Sequence, residues 1–245
     1  MYFVAMRVIV TAGPTREYID SVRFITNASS GRMGYACAEL AAAAGHEVTL
    51  ISGPTALAAP AGVELVRIVT VAELQEALER RFDACDALLM AAAVGDFTVG
   101  GAATRKISRR NGPITLELIP TPDILEGLGR RRRNGIPPQC GGLGRQDKGN
   151  SIPPQCGGLQ QQRPQIIIGF AVEDENAMEK ARAEMGRKNC DYYVLNGPAA
   201  MGGESSRACI LGREGLALPW SNRDKRDLAG HIVGLLQKGQ ATRGE

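Results

Sequence analysis

Val8-Ile9-Val10-Thr11 is a short, apolar, β-branched run, the pattern of a buried strand. It breaks at Gly13-Pro14-Thr15, a turn signal. The chain then passes through Asn27-Ala28-Ser29-Ser30-Gly31-Arg32-Met33-Gly34 into an Ala-rich helix expected over Tyr35–Ala44. Small and hydroxyl residues at a helix start leave backbone N–H groups bare, and the helix dipole adds positive potential there. Phosphate oxygens suit such a place.

The same alternation continues downstream. Strands are expected at Glu47–Ile51, Val63–Val69, Ala87–Met90, Gln165–Phe170 and Tyr192–Leu195, with helices over Val71–Phe82, Glu173–Lys188 and Asp224–Leu236. A hairpin is expected from Ala208–Leu211 and Leu216–Leu218. Another is expected where the basic run Lys106–Arg110 precedes Ile114–Ile119, whose alternation suits a half-exposed strand. Apolar strands alternating with amphipathic helices define an α/β, Rossmann-like, doubly wound, mostly parallel sheet, here with a β-hairpin flap. Ligands in such sheets sit beyond the carboxyl ends of the strands. Asp96, in Ala91-Ala92-Ala93-Val94-Gly95-Asp96 after the fourth strand, therefore lies where chemistry is expected.

Composition narrows the function classes. Apolar residues make up 44% of 245, enough for a sizeable core. Aromatics are only 4%, which argues against base-stacking on single-stranded nucleic acid. A net charge of +3 is too small to demand a polyanionic partner. The apolar runs fall far short of a membrane span, and no charged start with an apolar h-region is present, so a cytoplasmic protein is expected. The six cysteines form no CxxC pair, which points to reduced thiols rather than zinc. His46 and His231 read as surface or packing residues. A dinucleotide site wants three glycines directly after the first strand and an acid at the end of the second. Here the glycine pair follows after about fifteen residues, and the second strand ends in Ser52-Gly53-Pro54. From the residues alone, an NAD(P)-dependent Rossmann reductase and a non-catalytic nucleotide-binding module stand as alternatives.

Thr11–Thr15 (TAGPT), Val22–Gly34 (VRFITNASSGRMG), Ala91–Asp96, Lys106-Ile107-Ser108-Arg109, Pro122–Leu125, Gly169-Phe170-Ala171 and Asn196 occur in one order over about 200 residues. Together they resemble phosphopantothenoylcysteine synthetase, the phosphopantothenate–cysteine ligase of coenzyme A biosynthesis. The resemblance implies a Mg²⁺-dependent enzyme that joins 4′-phosphopantothenate to L-cysteine through an acyl-nucleotide, with CTP or ATP as co-substrate. Gly13, Ser29, Gly31 and Gly34 would hold the nucleotide phosphates. Asn27 would hydrogen-bond the substrate carboxyl and hold the acyl-nucleotide. Ala92, Ala93 and Asp96 would line the wall where substrate and nucleotide meet. Pro122, Asp123, Ile124, Leu125 and Phe170 would enclose the ribose and base, with Lys188 and Asn196 nearby. Lys106, on a mobile flap, would activate the substrate, and Arg23 would reach the neighbouring subunit's site, which implies a homodimer.

Single positions and one long stretch depart from the family's wording. Ser108 and Arg109 replace lysines, Glu184 stands where a lysine is common, and Gly197 where an aspartate is. From Glu126 the chain changes character: Arg130–Arg133 is a charge run that reads as a solvated loop, and Ile136–Leu143 (IPPQCGGL) is repeated as Ile152–Leu159. The expected organisation is one synthetase-like domain over 1–245, without the flavin-dependent decarboxylase half, carrying a disordered insertion at 127–164.

Overall fold

The computed structural model describes residues 4–134, 165–172, 177–197, 203 and 205–241. Strand β1 (Arg7–Ala12) is followed by a small antiparallel pair, β2 (Arg16–Tyr18) and β3 (Phe24–Thr26), and by helix α1 (Arg32–Ala43). Next come β4 (Glu47–Ser52), β5 (Val63–Arg67), α2 (Val71–Glu79), a 3-10 turn at Phe82–Ala84 and β6 (Ala87–Met90). A second antiparallel pair, β7 (Phe97–Val99) and β8 (Leu118–Pro120), precedes α3 (Ile124–Asn134). The chain closes with β9 (Ile166–Val172), α4 (Ala177–Arg187), β10 (Tyr192–Asn196), β11 (Ser205–Gly212), β12 (Gly215–Asp224) and α5 (Lys225–Ala241).

Eight strands form one sheet in the order β12-β11-β10-β9-β6-β1-β4-β5. It is parallel from β5 to β10 and antiparallel across β10, β11 and β12. Pro219, which cannot donate a ladder hydrogen bond, sits in edge strand β12. The period of two along β1 sends Val8 and Val10 to one face and Ile9 to the other. The first face packs on α1 and α5 through Cys37, Ala38, Ala41, Leu228, Ile232 and Leu236. The second packs on α2, α3 and α4 through Leu74, Leu78, Ile124, Leu128, Ala181 and Met185. The sheet is doubly wound, with the strand order of a Rossmann-like fold.

Local chemistry sets the element ends. Thr70 accepts the Glu73 N–H at 3.2 Å, and Glu73 reaches back to the Val69 N–H at 2.6 Å, a capping arrangement that ends β5 early and starts α2. Asp224 caps α5 by accepting the Asp227 N–H at 2.7 Å.

Two expectations are corrected. The flap hairpin pairs Phe97–Val99 with Leu118–Pro120, and Lys106–Arg110 lie in the excursion between them rather than on a strand. Gly112 has φ +81° and Pro113 lacks an N–H, so the strand expected from Ile114 has no ladder to join until Leu118. Residues 127–134, expected to open the disordered insertion, instead continue helix α3. The arginine run there is held by ion pairs: Arg130 with Glu126, Arg131 with Asp83, and Arg132 with Asp191 at 2.7 and 3.0 Å. Arg187 adds a link from α4 to Glu126 and, at 2.9 Å, to Asp123. The repeated segments lie outside the described residues, as do Met201, Gly202 and Glu204 of the Gly-rich loop.

Candidate active site

The direction of winding reverses between β1 and β6, and a cavity of about 710 Å³ opens there, at the carboxyl ends of β1, β6, β9 and β10. Its walls come from chain segments far apart in sequence. Ser29, Ser30, Gly31, Arg32 and Met33 contribute the start of α1, with Asn27 just before it. Ala91–Asp96 form the loop after β6, and Thr121–Leu125 the start of α3. Phe170–Val172, Asn196 and Tyr193 come from β9 and β10, and Glu184, Lys188 and Lys225 from the helices behind them.

Glycines bring α1 into place. Gly31 precedes the helix with φ +77°, a left-handed conformation that L side chains rarely adopt, and the helix start carries no side-chain cap. A Cβ on Gly34 would stand 2.5 Å from Ala12 Cβ and 2.6 Å from the Thr11 carbonyl oxygen, so only glycine lets the helix lie this close to β1. Gly13, at φ +73°, turns the chain out of β1 against Gly53. Gly13 and Gly34 thus shape the site from behind, without lining it.

The loop after β6 is fixed by hydrogen bonds to the loop after β1. The Ala92 N–H donates to Thr11 Oγ1 at 3.0 Å, the Ala93 N–H to the Gly13 carbonyl at 2.9 Å and the Gly95 N–H to Thr15 Oγ1 at 2.9 Å. Asn27 Nδ2 donates to the Val94 carbonyl at 2.9 Å, which holds the amide at the cavity wall. Thr121 clasps the same loop, donating from N to the Asp96 carbonyl and from Oγ1 to the Gly95 carbonyl, at 2.9 and 2.6 Å. Asn196, buried, accepts the Ser206 hydroxyl at 3.2 Å.

One end of the cavity holds Lys188 between Glu184, at 3.0 Å, and Asp123, at 3.4 Å. Burial alone would lower the Lys188 pKa. Tyr193 and the two carboxylates more than offset it, so the ammonium is held above its usual range. Glu184 therefore stands in a cluster with Lys188 and Arg187 rather than as an isolated negative charge.

Lys106 and Arg23 do not line this cavity. Both belong to the excursion between β7 and β8 and the β2–β3 turn on which it rests. Asp20 is the hub: 1% exposed, it accepts the Val22 and Arg23 N–H groups at 2.8 Å each and the Ile107 N–H at 3.1 Å. The Arg23 guanidinium pairs with Asp20 at 2.7 Å and donates to the Ile107 carbonyl. Burial opposes ionisation of Asp20, but these backbone donors and the Arg23 charge bring its pKa down to about 2. Asp20 therefore anchors the residue next to Lys106, a role its sequence context does not reveal.

Arg32, Thr121, Tyr193 and Lys225 also escape the sequence reading. Arg32 lies inside the motif but carries no assigned role there. Lys225 follows β12, which runs in the same direction as β10, so its rim position needs the sheet topology to be seen. Among the described residues, no group of three or more His, Cys, Asp or Glu could hold a metal. Cys37, Cys85 and Cys190 are buried, and desolvation lifts their thiols to about 12. His46 is buried behind the sheet edge, taking the Met6 N–H at 3.2 Å, and His231 pairs with Asp227 at the surface. No helix among the described residues is long and apolar enough to cross a membrane.

Residues 3–137 and 151–239 match the family model of the DNA/pantothenate metabolism flavoprotein C-terminal domain, which leaves part of the repeated stretch unmatched. A coenzyme A biosynthesis bifunctional protein CoaBC from Mycobacterium tuberculosis is 37% identical over 236 residues, covering 93% of this chain and 51% of that protein. The chain spans about half the length of the curated relatives it matches. Among solved structures, the C-terminal domain of a CoaBC bifunctional protein superposes with a TM-score of 0.71 at 29% identity, covering 97% of this chain and 96% of that one. A Cab2 variant in complex with phosphopantothenate-cysteine has the same TM-score at 16% identity, a likeness of fold, covering 98% of this chain and 89% of the other.

Proposed function

The chain belongs to the DNA/pantothenate metabolism flavoprotein C-terminal domain family, and from that premise we propose that it joins 4′-phosphopantothenate to L-cysteine at the expense of a nucleoside triphosphate. The observation that carries this reading is the convergence of Asn27, Ser29, Gly31, Ala92, Ala93, Asp96, Pro122–Leu125, Phe170, Lys188 and Asn196 on one cavity at the sheet's switch point. The relatives' names place them in coenzyme A biosynthesis, and the resemblance of the sequence motifs supplies the substrates.

In the first step the phosphopantothenate carboxylate attacks the α-phosphorus of the triphosphate, and pyrophosphate leaves. In the second, the cysteine amine attacks the acyl carbon, the nucleoside monophosphate leaves, and the amine's proton goes to solvent or to a base at the site. The obstacle is electrostatic: two like charges about 4 Å apart repel by roughly 4 kcal/mol at an effective dielectric near 20. The uncapped start of α1 presents backbone N–H groups and positive dipole potential against that repulsion. Magnesium would arrive with the triphosphate, held chiefly by its phosphate oxygens, and would neutralise part of the same charge. Lys106 would swing over the site on the β7–β8 excursion, and Asn27 would orient the carboxyl and then the acyl group. Gly13 and Gly34 would serve the phosphates indirectly, by seating α1.

We place the base and ribose between Phe170 and the start of α3, near Lys188 and Asn196. The working unit is a homodimer. Tyr18, Val22, Phe97, Ile114, Leu118 and Ile119 are each at least 40% exposed on the two small antiparallel pairs and their loops, an apolar surface suited to a second copy. Arg23, which does not line its own chain's cavity, fits a side chain that serves the partner's site.

Pyrophosphate release from CTP and from ATP, with magnesium and phosphopantothenate, tests the reading. Release that depends on phosphopantothenate, and amide product that depends on cysteine, are expected. Triphosphate turnover indifferent to both acids would sink it.

A further inference from the structure

Glu17, the middle residue of β2, is only 8% exposed, and neutral donors take both of its carboxyl oxygens. The Val71 N–H, at the start of α2, donates to Oε1 at 2.9 Å. The Thr98 hydroxyl, midway along β7, donates to Oε2 at 2.8 Å. A buried carboxyl group is costly unless its hydrogen bonds are made, so these two bonds fix where the side chain lies. Helix α2 is itself packed on the sheet through Leu74 and Leu78. Glu17 thus ties the first strand of the flap hairpin to a rigid element. It also backs the cavity without lining it: a Cβ built on Gly95, in the cavity wall, would stand 3.9 Å from Glu17 Cγ.

The flap is secured differently at its root and along its excursion. At the root, β7 and β8 pair with each other, Thr98 bonds to Glu17, and Thr121 beyond β8 bonds to Gly95 and Asp96. The excursion rests on the β2–β3 turn by separate contacts: the Ala103 N–H donates to the Ile19 carbonyl at 2.9 Å, and Asp20 and Arg23 hold Ile107. Such contacts can open while the paired root stays closed.

We propose that Glu17 is a positioning residue for Lys106: it fixes the root of the flap against α2 and the back of the cavity wall, so that the excursion delivers the lysine to the triphosphate. This rests on the ligase reading and adds to it the residue that sets where the lysine arrives. A lysine ammonium rides on a flexible four-carbon stem, so the position of its backbone is what the fold can preset. A displacement of about 1 Å at such a group can cost about a hundredfold in rate.

The test separates the two half-reactions in the whole chain. Pyrophosphate release is timed with magnesium CTP or ATP and phosphopantothenate at saturation, and amide formation is timed from synthetic acyl-nucleotide and cysteine. Thr98→Val and Glu17→Ala are each expected to slow the first step by about tenfold to a hundredfold and to leave the second at the wild-type rate. Thr98→Ser is expected to restore the first step. The double variant is expected to lose no more than the worse single one, because both remove the same contact. Ile232→Val, which trims the core under α5, is expected to lower the melting temperature and leave both steps unchanged. Melting temperatures check folding, and should Thr98→Val fail, Thr98→Ala decides. A wild-type first step in the folded variants overturns the assignment. So does an equal loss in both steps, a loss that multiplies in the double variant, or a first step slowed as much by Ile232→Val. Wild type that neither releases pyrophosphate nor forms the amide would instead overturn the ligase reading, and the assignment with it.

Discussion

At the scale of single residues, Lys106, Asn27 and Asp20 carry separable expectations. Lys106→Gln removes the charge at its flap position while keeping a polar, only slightly shorter side chain. It is expected to reduce pyrophosphate release to background in an assay saturated with phosphopantothenate, and release at the wild-type rate would refute the role. Asn27→Asp places a negative charge beside the substrate carboxyl and the acyl-nucleotide. Activation is expected to survive and amide formation to stop, so that rapid-quench chromatography shows the acyl-nucleotide accumulating. Asp20 predicts a pH effect. Its carboxyl moves from 3.8 to about 2 on folding, so its contribution to stability is complete above the unfolded value and is lost as pH falls toward the folded one. The melting temperature of Asp20→Asn is accordingly expected to lie below wild type at neutral pH, with the gap narrowing below about pH 4. A gap that widens on acidification would contradict the assignment.

At the scale of elements, the regular parts of the sheet are readable because their patterns are strong. Ala87–Met90 is an unbroken apolar run with one possible home, a strand covered on both faces, and its bounds are those read from sequence. The flap is harder, because the alternation of Ile114, Leu116 and Leu118 imitates a strand whose partner, Phe97–Val99, lies across a long loop. Helix α3 is hidden for a different reason. Its arginines look solvated in one dimension, and only tertiary placement shows Asp83 and Asp191 waiting for Arg131 and Arg132. The motif residues of the cavity can be read from sequence because each motif is contiguous, whereas Lys225 is brought to the cavity by topology. Helix packing offers a paired test. Gly34→Ala gains about 1 kcal/mol of helix propensity but must relieve a backbone overlap, which typically costs about 1–3 kcal/mol. A lower melting temperature is expected. Gly230→Ala in α5 meets nothing within 4 Å and is expected to raise it.

At the scale of the whole molecule, the expectation concerns association. Phe97 is 48% exposed on the apolar surface, so Phe97→Asp is expected to leave the protomer folded while driving sedimentation toward the monomer. Ligase activity should fall with it if Arg23 works across the interface. Wild type that sediments as a monomer at working concentrations would remove the dimer from the mechanism.

The naked beginning of α1, with glycine before it and no side-chain cap among the described residues, leaves backbone donors that, on the ligase reading, a visitor completes. An anion seated there supplies acceptors that the polypeptide withholds, so occupancy and rigidity are one event. At a hundredfold excess over the dissociation constant such a guest adds about 2.7 kcal/mol to the folded state. On the ligase reading, the empty chain is therefore its least durable form, and loss of nucleotide is also a loss of structural reserve.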